Sequence, residues 1–171
     1  TPMNTPNTPT VAPVGNRLGI LLPGMGAVAT TFVAGVEAVR QGIADPIGSL
    51  TQMGRIRLGK RTENRSPLIP EFVPLQTLHN LVFGGWDLFS DDCKTAAQKA
   101  GVLKPELLEQ VGSFLSTIRP MRAAFDPNFV KKLSGDHVIP GGRRDWANQL
   151  RRDIQDFQQK HGLDRVVMVW C

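Results

Sequence analysis

Gly24-Met25-Gly26-Ala27-Val28-Ala29 is the stretch whose residue types and spacing suit chemistry. It fits G-x-G-x-x-G/A. In that pattern Gly24 permits a tight turn, and Gly26 lets the backbone approach a pyrophosphate. Small Ala29 lets the following helix pack close to the preceding strand. The first turn of the helix would offer free N–H groups and the positive end of its dipole to the phosphates. The same six residues also fit a strand-to-helix turn in which the glycines serve backbone geometry alone.

A dinucleotide fingerprint of this kind places an acid about twenty residues on, at the end of the second strand, where it binds the ribose. Ile47 to Arg61 holds no acidic residue, and Asp45 precedes Pro46 in a turn. Asp87, just beyond the apolar run Leu78–Phe83, is the better candidate, because ligands of open parallel sheets sit at the carboxyl ends of the strands. It could equally cap the short turn before Leu88. The departure counts against a simple dehydrogenase.

Other chemical groups are weaker candidates. Arg55, Arg57, Lys60, Arg61 and Arg65 could meet phosphate or nucleic acid, but no aromatic residue is interleaved with them, and a solvated loop accounts for the run. Arg143, Arg144, Arg151 and Arg152 fall on the polar side of an amphipathic helix. Cys93 follows two acids, which raise a thiol pKa rather than activate the sulfur. His79 and His137 have no neighbouring acid or serine in a catalytic arrangement. Three scattered histidines and two cysteines make neither a metal set nor a disulfide framework.

The elements that must position the glycine turn can be read from periodicity. Residues 1–16, TPMNTPNTPTVAPVGN, read as a flexible leader, too poor in apolar groups to offset ordering. Residues 17–171 read as one folded unit. RLGILL, Arg17 to Leu22, fits a buried strand. From Ala27 the spacing of Val28, Phe32, Val33, Val36 and Val39 predicts a helix with those residues as its inner stripe, stopping at Gly42. Ala44 to Leu75 reads as a basic loop region holding one short element. Leu78–Phe83 is a second strand, cut by Gly84-Gly85. Asp91 or Asp92 caps a helix through Ala100. Pro105 opens another, with Leu107, Leu108, Val111, Phe114 and Leu115 inward. After Gly141-Gly142 a long helix turns Trp146, Leu150, Ile154, Phe157 and His161 inward. Gly162 ends it, and RVVMVW follows as a core strand. This alternation predicts an α/β fold, a doubly wound parallel sheet.

Composition sets the outer limits. With 171 residues, 41% hydrophobic and 20% charged, the chain can bury a core. No apolar stretch reaches the roughly eighteen residues of a membrane span, and no secretory signal opens it. A reducing, cytoplasmic setting is expected, with neither membrane nor nucleic acid as partner, since the net charge of +5 is modest. The chain begins at Thr1 and ends inside an apolar run, which reads as a fragment of a longer protein.

Five segments together resemble one family, the myo-inositol-1-phosphate synthases: LGILLPGMGAVATTFVAG, PIGSLTQMGRIRLGKRT, FGGWDLFSDD, SFLSTIRPMRAAFDPNF and RRDIQDFQQKHGLDRVVMVWC. They follow the family's order over roughly residues 17 to 171. The GSLTQ and GGWD segments are more specific than the glycine turn. The resemblance implies a Rossmann-like, NAD-binding part of an isomerase acting on D-glucose 6-phosphate. Oxidation at C5, enolisation, aldol closure and return of the hydride would give 1L-myo-inositol 1-phosphate without net redox change. The family's nucleotide loop falls on Gly24, Gly26, Ala27, Val28 and Ala29. Relatives often carry Gly and Asn where this chain has Ala and Val, so backbone N–H groups would have to replace a side-chain amide. The ribose-binding acid falls on Asp87, and a further nucleotide contact on Ala123 and Ala124. The catalytic lysines and aspartate are expected beyond Cys171, and a homotetramer at full length. The remaining alternatives are an inactive NAD-binding or interaction remnant and an unrelated NAD(P)-dependent dehydrogenase.

Overall fold

The computed structural model describes residues 15–170. The expected leader lies outside the described residues up to residue 14, as does Cys171. Gly15 is described, and its carbonyl accepts a hydrogen bond from Gln76 Nε2 at 2.6 Å.

Four strands, β1 (Leu18–Pro23), β2 (Leu81–Asp87), β3 (Met121–Arg122) and β4 (Arg165–Met168), form one sheet in the order β3-β2-β1-β4. All three pairings are parallel. The chain moves from β1 through β2 to β3 in one direction, then crosses back over β1 to place β4 on its other side. That reversal makes the β1–β4 boundary the topological switch point, where ligands of such sheets bind.

Helices α1 (Ala27–Arg40), α4 (Cys93–Ala100) and α5 (Pro105–Leu115) cover one face, and α6 (Arg143–His161) covers the other. Side chains of a strand alternate between faces. Ile20 and Leu22 therefore join Val33, Val111 and Leu115 in one core, while Leu21 meets Trp86, Phe157 and Leu163 in the other. Between α1 and β2 lie two four-residue helices, α2 (Leu50–Met53) and α3 (Ile69–Phe72), joined by an irregular antiparallel ladder through Arg55 and Leu68. No residue from 41 to 76 is buried.

Four sequence expectations need correction. The inner stripe of α1 is Ala29, Thr30, Val33, Ala34, Val36 and Ala38, whereas Val28 is 63% exposed and Phe32 lies at the rim, edge-on to Phe83. Small residues let α1 lie close on the sheet, which turns the larger Val28 outward. The second strand is not cut at Gly84-Gly85. Leu78–Asn80 is a 3-10 turn, and β2 runs straight through both glycines to Asp87. The glycines are there for close packing: a Cβ on Gly84 would lie 2.7 Å from the Phe157 ring, and one on Gly85 would strike the Leu22 carbonyl. In α6 only Phe157 is fully buried, and Trp146, Leu150, Ile154 and His161 are half-buried. Finally, RVVMVW is not covered on both faces among the described residues. β4 is an edge, with Val166 and Val169 half-buried while Val167, Met168 and Trp170 are exposed.

Candidate functional site

A cavity of about 790 Å³ opens at the carboxyl ends of the strands. Pro23, Asp87 and Met168 close β1, β2 and β4 there, and Ala123 follows directly on β3. Gly24, Gly26 and Ala27 line the same cavity, as does Ala124. Six of the eight positions singled out in the sequence therefore meet in one place. The other two do not: Ala29 is buried on the inner face of α1, and Val28 points to solvent.

The glycine turn is built by three anchors. Gly24 takes a φ of +88°, and its N–H donates to the Trp86 carbonyl at 2.8 Å. Met25 buries its side chain in the core, and its N–H donates to Asp87 Oδ2 at 2.5 Å. Gly26 is the N-cap of α1, with no side-chain cap and no acid in the first turn. The first N–H groups of the helix thus stand at the cavity with the positive end of its dipole and no carboxylate of their own to neutralise them. A Cβ on Gly26 would meet nothing within 4 Å, and its φ of −81° is ordinary. Neither a close packing contact nor a positive φ calls for glycine there.

Asp87 caps the turn after β2, one of the two roles its position suggested, and also holds the glycine turn. Oδ1 accepts the Phe89 N–H at 2.9 Å, capping the turn after β2, while Oδ2 holds the glycine turn. A carboxylate has about four acceptor positions, so two bonds leave room for further donors. The far wall is fixed in the same way. Ala123 N–H donates to the His137 carbonyl at 3.0 Å, Ile139 N–H donates to the Ala123 carbonyl at 2.9 Å, and His137 N–H donates to Leu88 at 3.0 Å. His137 Nδ1 also lies 3.1 Å from the Asp87 carbonyl. Sequence spacing offered no partner for His137, because these partners come from 14 to 50 residues away.

The wall is mainly apolar. Its charged side chains are Asp87, Asp91 and Lys99, and Lys99 Nζ pairs with Asp91 at 2.6 Å. Asp92, the N-cap of α4, accepts the Thr95 N–H at 2.9 Å, and chiefly that bond, against partial burial, holds its carboxyl below the usual range. Burial, and next the charge of Asp92, push the Cys93 thiol up to about 12, so it is no nucleophile. The arginine-rich run from Arg55 to Arg65 lies away from the cavity and is exposed. Among the described residues no three potential ligands could hold a metal ion, and no helix is long and apolar enough to cross a membrane.

This geometry fits a nucleotide. The cavity is of ligand size, with a helix N-terminus and bare glycine at one end, an acid beside them and small side chains opposite. Comparison with known proteins points the same way. The family model described as myo-inositol-1-phosphate synthase, which describes an NAD-binding domain, matches residues 18–171. Inositol-3-phosphate synthase 1 of Bacteroides thetaiotaomicron is 44% identical over 163 residues, which is 94% of this chain and 37% of the relative. The human inositol-3-phosphate synthase 1 is 34% identical over 170 residues, covering 90% of this chain and 30% of its own length. The chain thus spans about a third of the length of these relatives. A crystal structure of inositol-3-phosphate synthase from Caenorhabditis elegans matches 91% of this chain and 34% of that chain, with a TM-score of 0.80 at 26% identity.

Proposed function

The chain belongs to the myo-inositol-1-phosphate synthase family, whose matching part is an NAD-binding domain, and from that premise we propose that the cavity described above is its NAD site. Gly24, Gly26 and the first N–H groups of α1, from Ala27 to Ala29, receive the pyrophosphate. Asp87 accepts the ribose hydroxyls on the lone pairs that Met25 and Phe89 leave free. Ala123 and Ala124 flank the nucleotide on the opposite wall. Val28 contributes only its backbone N–H, since its side chain faces solvent. When bound, NAD supplies a reversible hydride acceptor, which lets an isomerisation pass through an oxidised sugar without net redox change.

The observation that carries this reading is Gly26. A glycine that the protein's own packing does not need, at an uncapped helix N-terminus facing a cavity, leaves space for something that must approach the backbone.

In this reading the enzyme converts D-glucose 6-phosphate to 1L-myo-inositol 1-phosphate, as a cytoplasmic homotetramer at the length of its relatives. The 171 residues contribute the leader, 1–16, and the nucleotide-binding unit, 17–171. The lysines and aspartate of the chemistry belong to the part of the relatives that this chain does not span, so the chain binds NAD without turning over sugar phosphate.

Titration calorimetry with NAD tests the site. The chain is expected to bind, and Asp87→Ala to weaken binding by about 1.5–3 kcal/mol, the worth of a hydrogen bond to a charged group. Unchanged affinity in a folded Asp87→Ala variant would remove Asp87 from the site. Accumulation of NADH on addition of glucose 6-phosphate would favour a dehydrogenase instead, because a synthase returns its hydride.

A further inference from the structure

Asp153 lies on α6, on the opposite side of the sheet from the glycine turn's helix. Its Oδ2 accepts the indole N–H of Trp86 at 2.8 Å, and its Oδ1 accepts from Gln149 Nε2 at 2.7 Å. Gln149 is held in turn, with Arg152 donating to its Oε1 at 2.8 Å. Asp153 is half-buried among the inward positions Leu150, Ile154 and Phe157, where helical periodicity would place an apolar residue.

Trp86 is the residue on which the turn depends. It is 3% exposed and is the last residue but one of β2. Its carbonyl receives the Gly24 N–H, and the next side chain, Asp87, receives the Met25 N–H. Two consecutive residues of β2 thereby hold two consecutive amides of the turn. A change of twist at the end of β2 would move both acceptors together. The indole is large and packs with Leu21 and Phe157, and those apolar contacts are not directional. The hydrogen bond at the ring's one polar atom adds a directional tie between the end of β2 and α6.

We propose that Asp153 is a positioning residue for the cofactor cavity, acting from the far face of the sheet through Trp86 on the amides of Gly24 and Met25. It does not line the cavity itself, whereas Trp86 does. The proposal rests on the NAD reading for its consequence in binding, and on the hydrogen bonds alone for its mechanical part.

Two measurements on the 171-residue chain separate these parts. Amide hydrogen exchange, without ligand, is expected to show Gly24 and Met25 exchanging about tenfold faster in Asp153→Ala, while Val33 and Val111 in the core keep their protection. Asp153→Asn keeps one acceptor oxygen and is expected to restore slow exchange. Trp86→Phe, which removes the donor, is expected to behave as Asp153→Ala does. Calorimetry then reads NAD affinity: Asp153→Ala is expected to raise Kd about five- to tenfold, but less than twofold when added to Trp86→Phe, since coupled residues are not additive. Unaltered exchange at Gly24 in a folded Asp153→Ala chain would overturn the proposal. So would a lower Tm with unchanged Kd, or full additivity with Trp86→Phe. If exchange responds as expected but the wild-type chain binds no NAD, the positioning role stands and the cofactor reading falls.

Discussion

Gly24 and Gly26 flank the same methionine but lack side chains for different reasons. Gly24 has a φ of +88°, so Gly24→Ala forces an L-residue into left-handed backbone at a cost of about 1–2 kcal/mol. Gly26 has a negative φ and open space around it, so Gly26→Ala is expected to lower Tm only slightly, through the poorer N-cap, while lowering NAD affinity at least tenfold. Thermal denaturation and calorimetry on the two variants separate a glycine needed by the chain from one needed by its ligand. Both were legible in the sequence as a motif, but not this division between them, which depends on dihedral angles. Cys93 makes a second residue-scale case. It is fully buried, and its thiol is pushed up to about 12. Below about pH 8.5, the ordinary thiol value, its burial contributes in full. As pH rises beyond that, the unfolded chain loses the proton first, and stability falls until the folded thiol ionises too. Urea midpoints at pH 7.5 and 10 are expected to drop more in wild type than in Cys93→Ala, and alkylation of the native chain is expected to spare Cys93.

The C-terminal end of α1 is tied to the strand beside it. Arg40, in the last turn of α1, donates to the Leu78 carbonyl at 2.8 and 2.6 Å and to the Leu81 carbonyl at 2.5 Å. Its guanidinium also lies over the rings of Phe83 and Phe114 at 5.4 and 5.5 Å. One planar fork thus joins the end of α1 to the start of β2, so that the two elements meeting at the cavity are tied at their opposite ends as well. Arg40→Lys keeps the charge but not the fork, and is expected to destabilise the chain by about 1.5–3 kcal/mol in urea denaturation. Helical periodicity marked α1 correctly, yet it gave the wrong inner stripe, because Val28 and Phe32 outrank Ala29 and Ala34 in hydrophobicity but not in fit. The glycine pair of β2 misled in the other direction. Gly84-Gly85 is a breaker by local preference, and only the approach of Phe157 and Leu22 explains why the strand continues through it.

Across the whole molecule the sheet is closed on one side and open on the other. β3 at one edge is flanked by the Ala123–Val138 bridge, whereas β4 at the other leaves Val167, Met168 and Trp170 largely exposed. An edge strand with apolar side chains is a template for pairing with another chain. Sedimentation velocity is expected to show concentration-dependent association of the chain. Replacing Val167 by Thr and Met168 by Gln should reduce it while shifting folding stability by no more than about 0.5 kcal/mol. The arm between α1 and β2, which buries no residue, is the other part whose conformation owes little to the core.

The strand–helix alternation, the parallel α/β class, the glycine turn and the acid that faces it are all legible along the chain. These follow from local periodicity, backbone preference and the resemblance of ordered segments, all of which act over a few residues or are read directly from them. Only the folded chain shows which hydrogen bonds build the cavity and which residues support it from behind. Asp153 reaches Trp86 across 67 positions, and Asp87 reaches Met25 across 62. No spacing rule connects such pairs, because their distance is set by the order of strands in the sheet and by the helix packed over it.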